Sequence, residues 1–174
     1  KIVGIEAIKS STPQACRDSL REIFNIIISG TEDEVIAYIE KFKEEFFNLD
    51  MEKIAFPRSV NGLKKYKDSS AIYKKSTPIH VKGSLIYNHM LKSQKLTRKY
   101  PTIKEGEKVK FAYLKDPNPA GDKVIAITDI LPSEFNLEKY IDYDTQFEKA
   151  FVEPLKGVLD VIGWDTERRS SLDS

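Results

Sequence analysis

The stretch that decides the fold runs from residue 12 to residue 49 and reads TPQACRDSLREIFNIIISGTEDEVIAYIEKFKEEFFNL. Thr12 followed by Pro13 is typical of a helix start, with Thr12 as the N-cap and Pro13 at the first helical position. Apolar residues then recur at helical spacing as far as Gly30, a residue that favours a helix end. This half of the stretch therefore predicts one amphipathic helix.

A second helix should follow at once, because Thr31 and Glu34 have the spacing of a capping box. Its apolar residues again recur every three or four positions. Two helices joined by so short a link pack as an antiparallel hairpin. We therefore predict a helical hairpin over residues 12–49, with Phe24 and Phe42 in its core.

Outside the hairpin, the patterning predicts further segments along the chain. They are a short strand (1–8), a basic loop (57–83), a short helix (84–94), a small antiparallel β unit (105–131) and C-terminal helices (133–164). Pro154 should kink the last helix or begin it. These segments predict a single domain over residues 1–174, of the α+β class and mainly α, with a long C-terminal helix. Because the chain opens on a strand without an initiator Met, we expect it to be a piece of a longer protein.

The composition excludes several classes of protein. A chain of 174 residues that is 40% hydrophobic can bury a real core, and its apolar runs are far too short to span a bilayer. One cysteine excludes an internal disulfide, and two histidines make a structural zinc site implausible. We expect Cys16, on the apolar face of the first helix, to be a buried structural thiol. Asp142 and Asp144 suit a helix N-terminus better than a metal pair.

Nothing in the sequence assembles into an active site. Neither a glycine-rich phosphate loop nor a Gly-x-Ser-x-Gly elbow occurs. We therefore predict no catalytic residue and no metal ligand in this chain.

The charges are distributed unevenly along the chain. Residues 58–115 hold fifteen basic and three acidic side chains, whereas the remainder holds thirteen basic and twenty-four acidic ones. Such a cationic middle is typical of a surface that binds a polyanion. A lysine-rich solvated face is the alternative explanation.

Residues 73–83, YKKSTPIHVKG, interleave lysines with aromatic and small residues, as phosphate-binding surfaces do. Alternation within this segment predicts an extended run that places His80 and Lys82 on one face, while Gly83 lets another backbone approach closely. In the alternative interpretation, His80 only caps the helix that follows.

Several of these motifs resemble those of one protein family. The stretches KSSTP (9–13), EEF (44–46) and HVKGSLIYN (80–88) resemble the thumb domain of T-even-type bacteriophage DNA polymerases. EGEKV (105–109) and IDY (141–143), followed by EPL (153–155), are similar to family B DNA polymerases more widely. The matches keep the order of the family and span nearly the whole chain.

The resemblance implies a thumb that holds the primer–template duplex during replication in the cytoplasm of an infected bacterial host. The palm and fingers of the polymerase would be its other partners. The catalytic carboxylates, with their Mg²⁺ ions, and the exonuclease site belong to regions that this sequence does not resemble, so no cofactor is expected here. The family's aromatic tail for the sliding clamp has no match, and clamp binding is not expected.

The resemblance also assigns candidate DNA-binding residues. Seven positions match family contacts: Lys9, Lys65, Tyr66, His80, Lys82, Lys123 and Lys149; the basic segment adds Lys75. Lys82 stands where the family has arginine, which keeps the charge but loses bidentate geometry. Two other hypotheses remain open, a free-standing nucleic-acid-binding module without sequence specificity and an interaction protein whose hairpin is covered by a partner.

Overall fold

The computed structural model describes residues 8–168, so the strand predicted at the start of the chain lies almost entirely outside the described residues. The chain divides into two compact units. We call residues 1–54 with 143–174 the helical unit, and residues 55–142 the mixed unit. The prediction of one thumb domain over the whole chain stays a prediction.

The predicted hairpin is present in the helical unit as α1 (Gln14–Ser29) and α2 (Glu32–Phe47). Gly30 ends α1, and the Thr31 hydroxyl accepts a hydrogen bond from the Glu34 N–H at 3.3 Å to begin α2. The predicted N-cap of α1 is wrong by one residue, because Pro13 occupies that position. The hydroxyl of Thr12 instead accepts the N–H of Lys9 at 2.8 Å and closes the turn before the helix.

A short helix after the hairpin and a C-terminal helix of three parts complete this unit. A short helix, α3 (Met51–Ile54), follows the hairpin, and α6 (Tyr143–Phe147) resumes the unit after the mixed unit. A π-helical turn over Glu148–Val152 then leads into α7 (Glu153–Ile162). Pro154 lies in the first turn of α7, directly after the π-helical turn. Proline has no N–H to donate to the hydrogen-bond ladder of an α-helix, and the first turn is where this donor is not needed.

Phenylalanine rings form the core of the helical unit. The ring of Phe42 lies 5.9 Å from that of Phe46, 6.1 Å from Phe147 and 4.7 Å from Phe151. Phe24 and Phe42 are both buried, as predicted. Cys16 is buried too, and its burial raises the pKa of the thiol to about 12, which makes it an inert structural group.

The mixed unit is built on a three-stranded antiparallel sheet in the order β1 (Phe56–Ser59), β2 (Lys108–Tyr113), β3 (Val124–Ile127). Phe111 of β2 pairs with Phe56 of β1 and with Ala126 of β3. The pair β2–β3 confirms the predicted β unit, and the observed elements confirm the mainly α, α+β class. The prediction of a loop over 57–83 is wrong in part, because that range contains most of β1, a short helix α4 (Leu63–Tyr66) and the start of α5 (Ile79–Ser93).

The start of α5 overturns the extended run predicted around His80. Pro78 occupies the N-cap with extended dihedral angles, and the helix begins at Ile79. Residues two apart in an α-helix are separated by about 200°, so His80 and Lys82 do not share one face. The close approach predicted at Gly83 is confirmed, since a Cβ there would lie 2.9 Å from the backbone nitrogen of Ala126 in β3.

Candidate nucleic-acid interface

The mixed unit carries an excess of positive charge that its own carboxylates leave largely unpaired. It holds seventeen basic and nine acidic side chains. Within residues 8–168, two of those basic side chains form ion pairs: Lys99 with Glu134 at 2.7 Å, and Lys123 with Asp116 at 3.6 Å. Lysines without a carboxylate partner are free to neutralise phosphates.

Tyr73 connects Lys82 to the loop that carries Asp122 and Lys123, and we call these four residues the Lys82–Lys123 surface. The ammonium of Lys82, in the first turn of α5, lies 4.9 Å from the centre of the Tyr73 ring, a cation–π contact. The Tyr73 hydroxyl donates a hydrogen bond to Asp122 Oδ2, in the connection between β2 and β3. That bond and partial burial raise the pKa of Tyr73 to about 12, so the phenol stays protonated and neutral.

The β2–β3 connection presents Lys123 from a tightly bonded loop. The Asn118 side chain donates to the carbonyl of Lys115 at 2.8 Å and to that of Asp122 at 2.7 Å. The other carboxylate oxygen of Asp122, Oδ1, accepts the Lys123 N–H at 2.7 Å. The Lys123 side chain itself is 74% exposed and its ammonium pairs with the half-exposed Asp116 at 3.6 Å, so the loop fixes its backbone and the ion pair lies at the surface.

The loop between α4 and α5 is held by its backbone. The Lys74 N–H donates to the carbonyl of Tyr66 at 2.8 Å, and the Lys74 carbonyl accepts the Thr77 hydroxyl at 2.6 Å. These bonds place the exposed Lys75 between two fixed points. In α4, the ammonium of Lys65 lies 5.2 Å from the centre of the Tyr66 ring.

A carboxylate fixes the start of α4. Gly62 has φ +105°, a left-handed conformation that glycine adopts without strain. The two oxygens of Glu105 accept the N–H groups of Gly62 at 2.7 Å and Leu63 at 2.9 Å. These bonds lower the pKa of Glu105 and keep it ionised, so α4 is tied to the segment that leads into β2.

His80 behaves differently from the lysines. Its side chain is half-buried, and that burial, with the charge of Arg58, lowers the pKa of the imidazole. The ring is therefore neutral near pH 7 and can offer a hydrogen bond but no charge. Its carbonyl accepts the Ser84 hydroxyl at 2.8 Å inside α5, so His80 lies within the helix that it was alternatively expected to cap.

The structure separates the eight predicted site residues by unit. Six lie in the mixed unit: Lys65, Tyr66, Lys75, His80, Lys82 and Lys123. Lys9 and Lys149 lie in the helical unit, where Lys9 is in the exposed turn before α1 and Lys149 is on the exposed side of the π-helical turn. The arrangement around Lys82 and Lys123 is therefore the part of the predicted site that the structure brings together.

Sequence reasoning missed Tyr73 and Asp122 as parts of this arrangement. Tyr73 is the only aromatic residue in the segment 73–83, a signal that could have singled it out, but its bond to Asp122 joins residues 49 positions apart. In the described part of the chain, residues 8–168, no group of three or more metal-ligating side chains comes together. Over the same residues, no helix has the length and apolar character needed to cross a membrane.

Comparison with known proteins identifies what this chain is related to. It is 35% identical over 177 residues to the DNA-directed DNA polymerase of Enterobacteria phage T4, and 34% identical over 178 residues to that of Escherichia phage RB69. Each match covers 99% of this chain. The chain is homologous to a segment of T-even-type phage DNA polymerases.

This homology confirms the resemblance to T-even-type phage DNA polymerases predicted from the sequence motifs. The chain spans 19% of the length of each of the two relatives. No family model matches the chain.

Proposed function

We propose that this polymerase segment is a family B thumb that holds the backbone of the primer–template duplex during DNA replication in an infected bacterial host. The observation that carries the proposal is the joined arrangement of Lys82, Tyr73, Asp122 and Lys123 on a unit with a large excess of basic side chains. The homology to phage DNA polymerases supplies the class of ligand.

The chemistry of this surface suits phosphate groups. Lysine is a compact point charge with three donors, which contacts phosphate oxygens without the planar geometry that reads a base edge. Tyr73 restricts Lys82 through its ring and the Lys123 loop through its hydroxyl, so two ammonium groups are presented from fixed backbones. Such a surface binds duplexes of any sequence and weakens as salt rises.

Under this proposal, the palm and fingers of the polymerase are the partners of the thumb. The palm would hold the Mg²⁺ ions and the carboxylates for nucleotidyl transfer. The thumb would contribute grip, with Lys9 and Lys149 as further contacts that stay predictions.

Two lysines of the mixed unit provide a matched test. Lys82 lies over Tyr73 and Lys139 lies over Tyr140 at a similar distance, 5.4 Å, so each variant to alanine removes one charge and one cation–π contact. For Lys82→Ala we expect weaker binding to blunt duplexes of every sequence and a salt slope that is smaller by about one unit. Lys139→Ala should leave both quantities unchanged in a fluorescence anisotropy titration. Equal effects of the two variants, or no effect of either, would contradict the proposed surface.

A further inference from the structure

A groove of about 820 Å³ lies in the mixed unit, beside the Lys82–Lys123 surface. It runs between α4 with the loop that follows it, one side of α5, and residues 102–105. Its floor is apolar and includes Leu63, Leu85 and Ile103. A cavity of this size is in the range of ligand sites, which combine apolar walls with a few polar groups.

Lysines line the rim of the groove. They are Lys64, Lys67, Lys92 and Lys104. All four are exposed, and none forms an ion pair with a side chain of residues 8–168. The rim therefore favours an anionic ligand.

The two carboxylates of the groove are occupied elsewhere. Both oxygens of Glu105 accept the N–H groups at the start of α4. Asp68 accepts the N–H and the hydroxyl of Ser70, each at 2.9 Å, and these bonds lower the pKa of Asp68. Each acid thus holds a wall of the groove in place through bonds to its backbone, and the charge of Lys64 acts on Glu105 without an ion pair between them.

The groove is preformed and continuous with the proposed duplex surface. The Asn88 side chain donates to the Ile103 carbonyl at 2.9 Å and accepts the Ile103 N–H at 2.7 Å, which fixes α5 to the opposite wall. His89 lines the groove two helical turns after Lys82, so the two residues lie on the same side of α5. A DNA strand bound at Lys82 could therefore continue along the helix into the groove.

We infer that this groove binds unpaired nucleotides of a DNA strand, with the bases against the apolar floor and the phosphates at the lysine rim. The inference rests on the proposed DNA-binding function. A paired duplex does not satisfy the floor, because its bases are stacked inside the helix. An unpaired nucleotide carries an apolar ring face and an anionic phosphate, which match the floor and the rim together.

The test uses the full chain with two DNA probes, single-stranded oligothymidylate and a blunt duplex. The variant Lys64→Ala with Lys92→Ala removes two charges from the rim, and Lys108→Ala with Lys139→Ala removes two exposed charges outside the groove. Each phosphate contact to a single strand contributes about 0.7 to the salt slope. We expect the rim variant to lower the slope for oligothymidylate by about 1.4 while binding of the blunt duplex is unchanged, and the control variant to leave the slope for oligothymidylate unchanged.

Two further probes test the occupant. An abasic oligodeoxyribose phosphate of the same length should bind more weakly than oligothymidylate, because it has no base for the floor. An oligoglutamate peptide of equal charge should compete poorly. Equal binding of the abasic strand, equal competition by the peptide, or an unchanged oligothymidylate slope in the rim variant would overturn the inference. Failure of the proposed function would look different, since the unmodified chain would then not bind the blunt duplex.

Discussion

The two units of this chain differ in charge and in what holds them together. The helical unit has eleven basic and eighteen acidic side chains, whereas the mixed unit has seventeen basic and nine acidic ones. Both units have a buried apolar core. Phenylalanine rings dominate it in the helical unit, while in the mixed unit side-chain bonds to backbone groups also fix the loops. The difference indicates that the mixed unit, in addition to its apolar core, presents charge from loops that are held in place.

Removing one ring from the helical unit should have the largest effect. Phe42 is 5% exposed and touches three other phenylalanine rings, so Phe42→Ala should lower the free energy of unfolding by about 3–5 kcal/mol. Ile28→Ala on α1, where the side chain is 67% exposed, should stay within about 0.5 kcal/mol. Denaturant unfolding measures both variants. Similar stabilities for the two would show that the aromatic cluster does not hold this unit.

Two helical glycines, one in each unit, sharpen the comparison. At Gly83 an added Cβ would lie 2.9 Å from the Ala126 nitrogen and 3.1 Å from the Ile125 carbonyl carbon, both backbone atoms that cannot move cheaply. Gly83→Ala should therefore destabilise the mixed unit by about 1–3 kcal/mol. At Gly157 nothing lies within 4 Å of the added Cβ, so Gly157→Ala should stabilise α7 by up to about 1 kcal/mol. If both variants shifted the melting temperature in the same direction, the close packing of α5 against β3 at Gly83 would be contradicted.

The glycines also show where sequence patterns are informative. The hairpin could be predicted because its caps and apolar spacing are local signals, confirmed at Gly30 and Thr31. The start of α5 could not, because the alternation of Ile79 to Lys82 also fits the first turn of a helix that follows Pro78. Strand β1 was missed because it contains Pro57 and pairs with a strand about fifty residues later.

Within the mixed unit, the bond between Tyr73 and Asp122 should contribute about 1 kcal/mol. Tyr73→Phe removes the hydroxyl but keeps the ring under Lys82, and Asp122→Ala removes the acceptor. A double-mutant cycle on unfolding free energy isolates the pair. We expect a coupling of about 1 kcal/mol and weaker duplex binding by both single variants. A coupling of zero would show that the bond between Tyr73 and Asp122 does not hold the two parts of the Lys82–Lys123 surface together.

The smallest expected effect concerns the pH dependence of stability. Burial and Arg58 lower the pKa of His80 in the folded state, so below about pH 6.5 the unfolded chain binds the proton more readily. The contribution of His80 to stability is complete above that pH and is lost as the pH falls. His80→Gln should therefore lose less stability than the unmodified chain between about pH 7 and 5, measured as the melting temperature. His89→Gln, at an exposed position of the same helix, is the control and should follow the unmodified chain.

The candidate site could be predicted only in part. The excess of lysine and the motif matches were visible in the sequence and selected Lys82 and Lys123. The partners that position these lysines, Tyr73 and Asp122, come together only through the fold. The prediction that His80 and Lys82 share one face is wrong for the same reason, since it required an extended backbone where the fold has a helix.

The central claim is that the mixed unit binds the DNA backbone through phosphate neutralisation. The most direct test is the affinity of the full chain for one blunt duplex, measured by fluorescence anisotropy between about 50 and 200 mM salt. Each phosphate contact contributes about 0.9 to the slope of log K against log salt concentration. If about four phosphates are engaged, the slope should be roughly −3.6, and it should be the same for duplexes of unrelated sequence. An affinity that does not change with salt, or that follows the sequence of the duplex, would contradict the account.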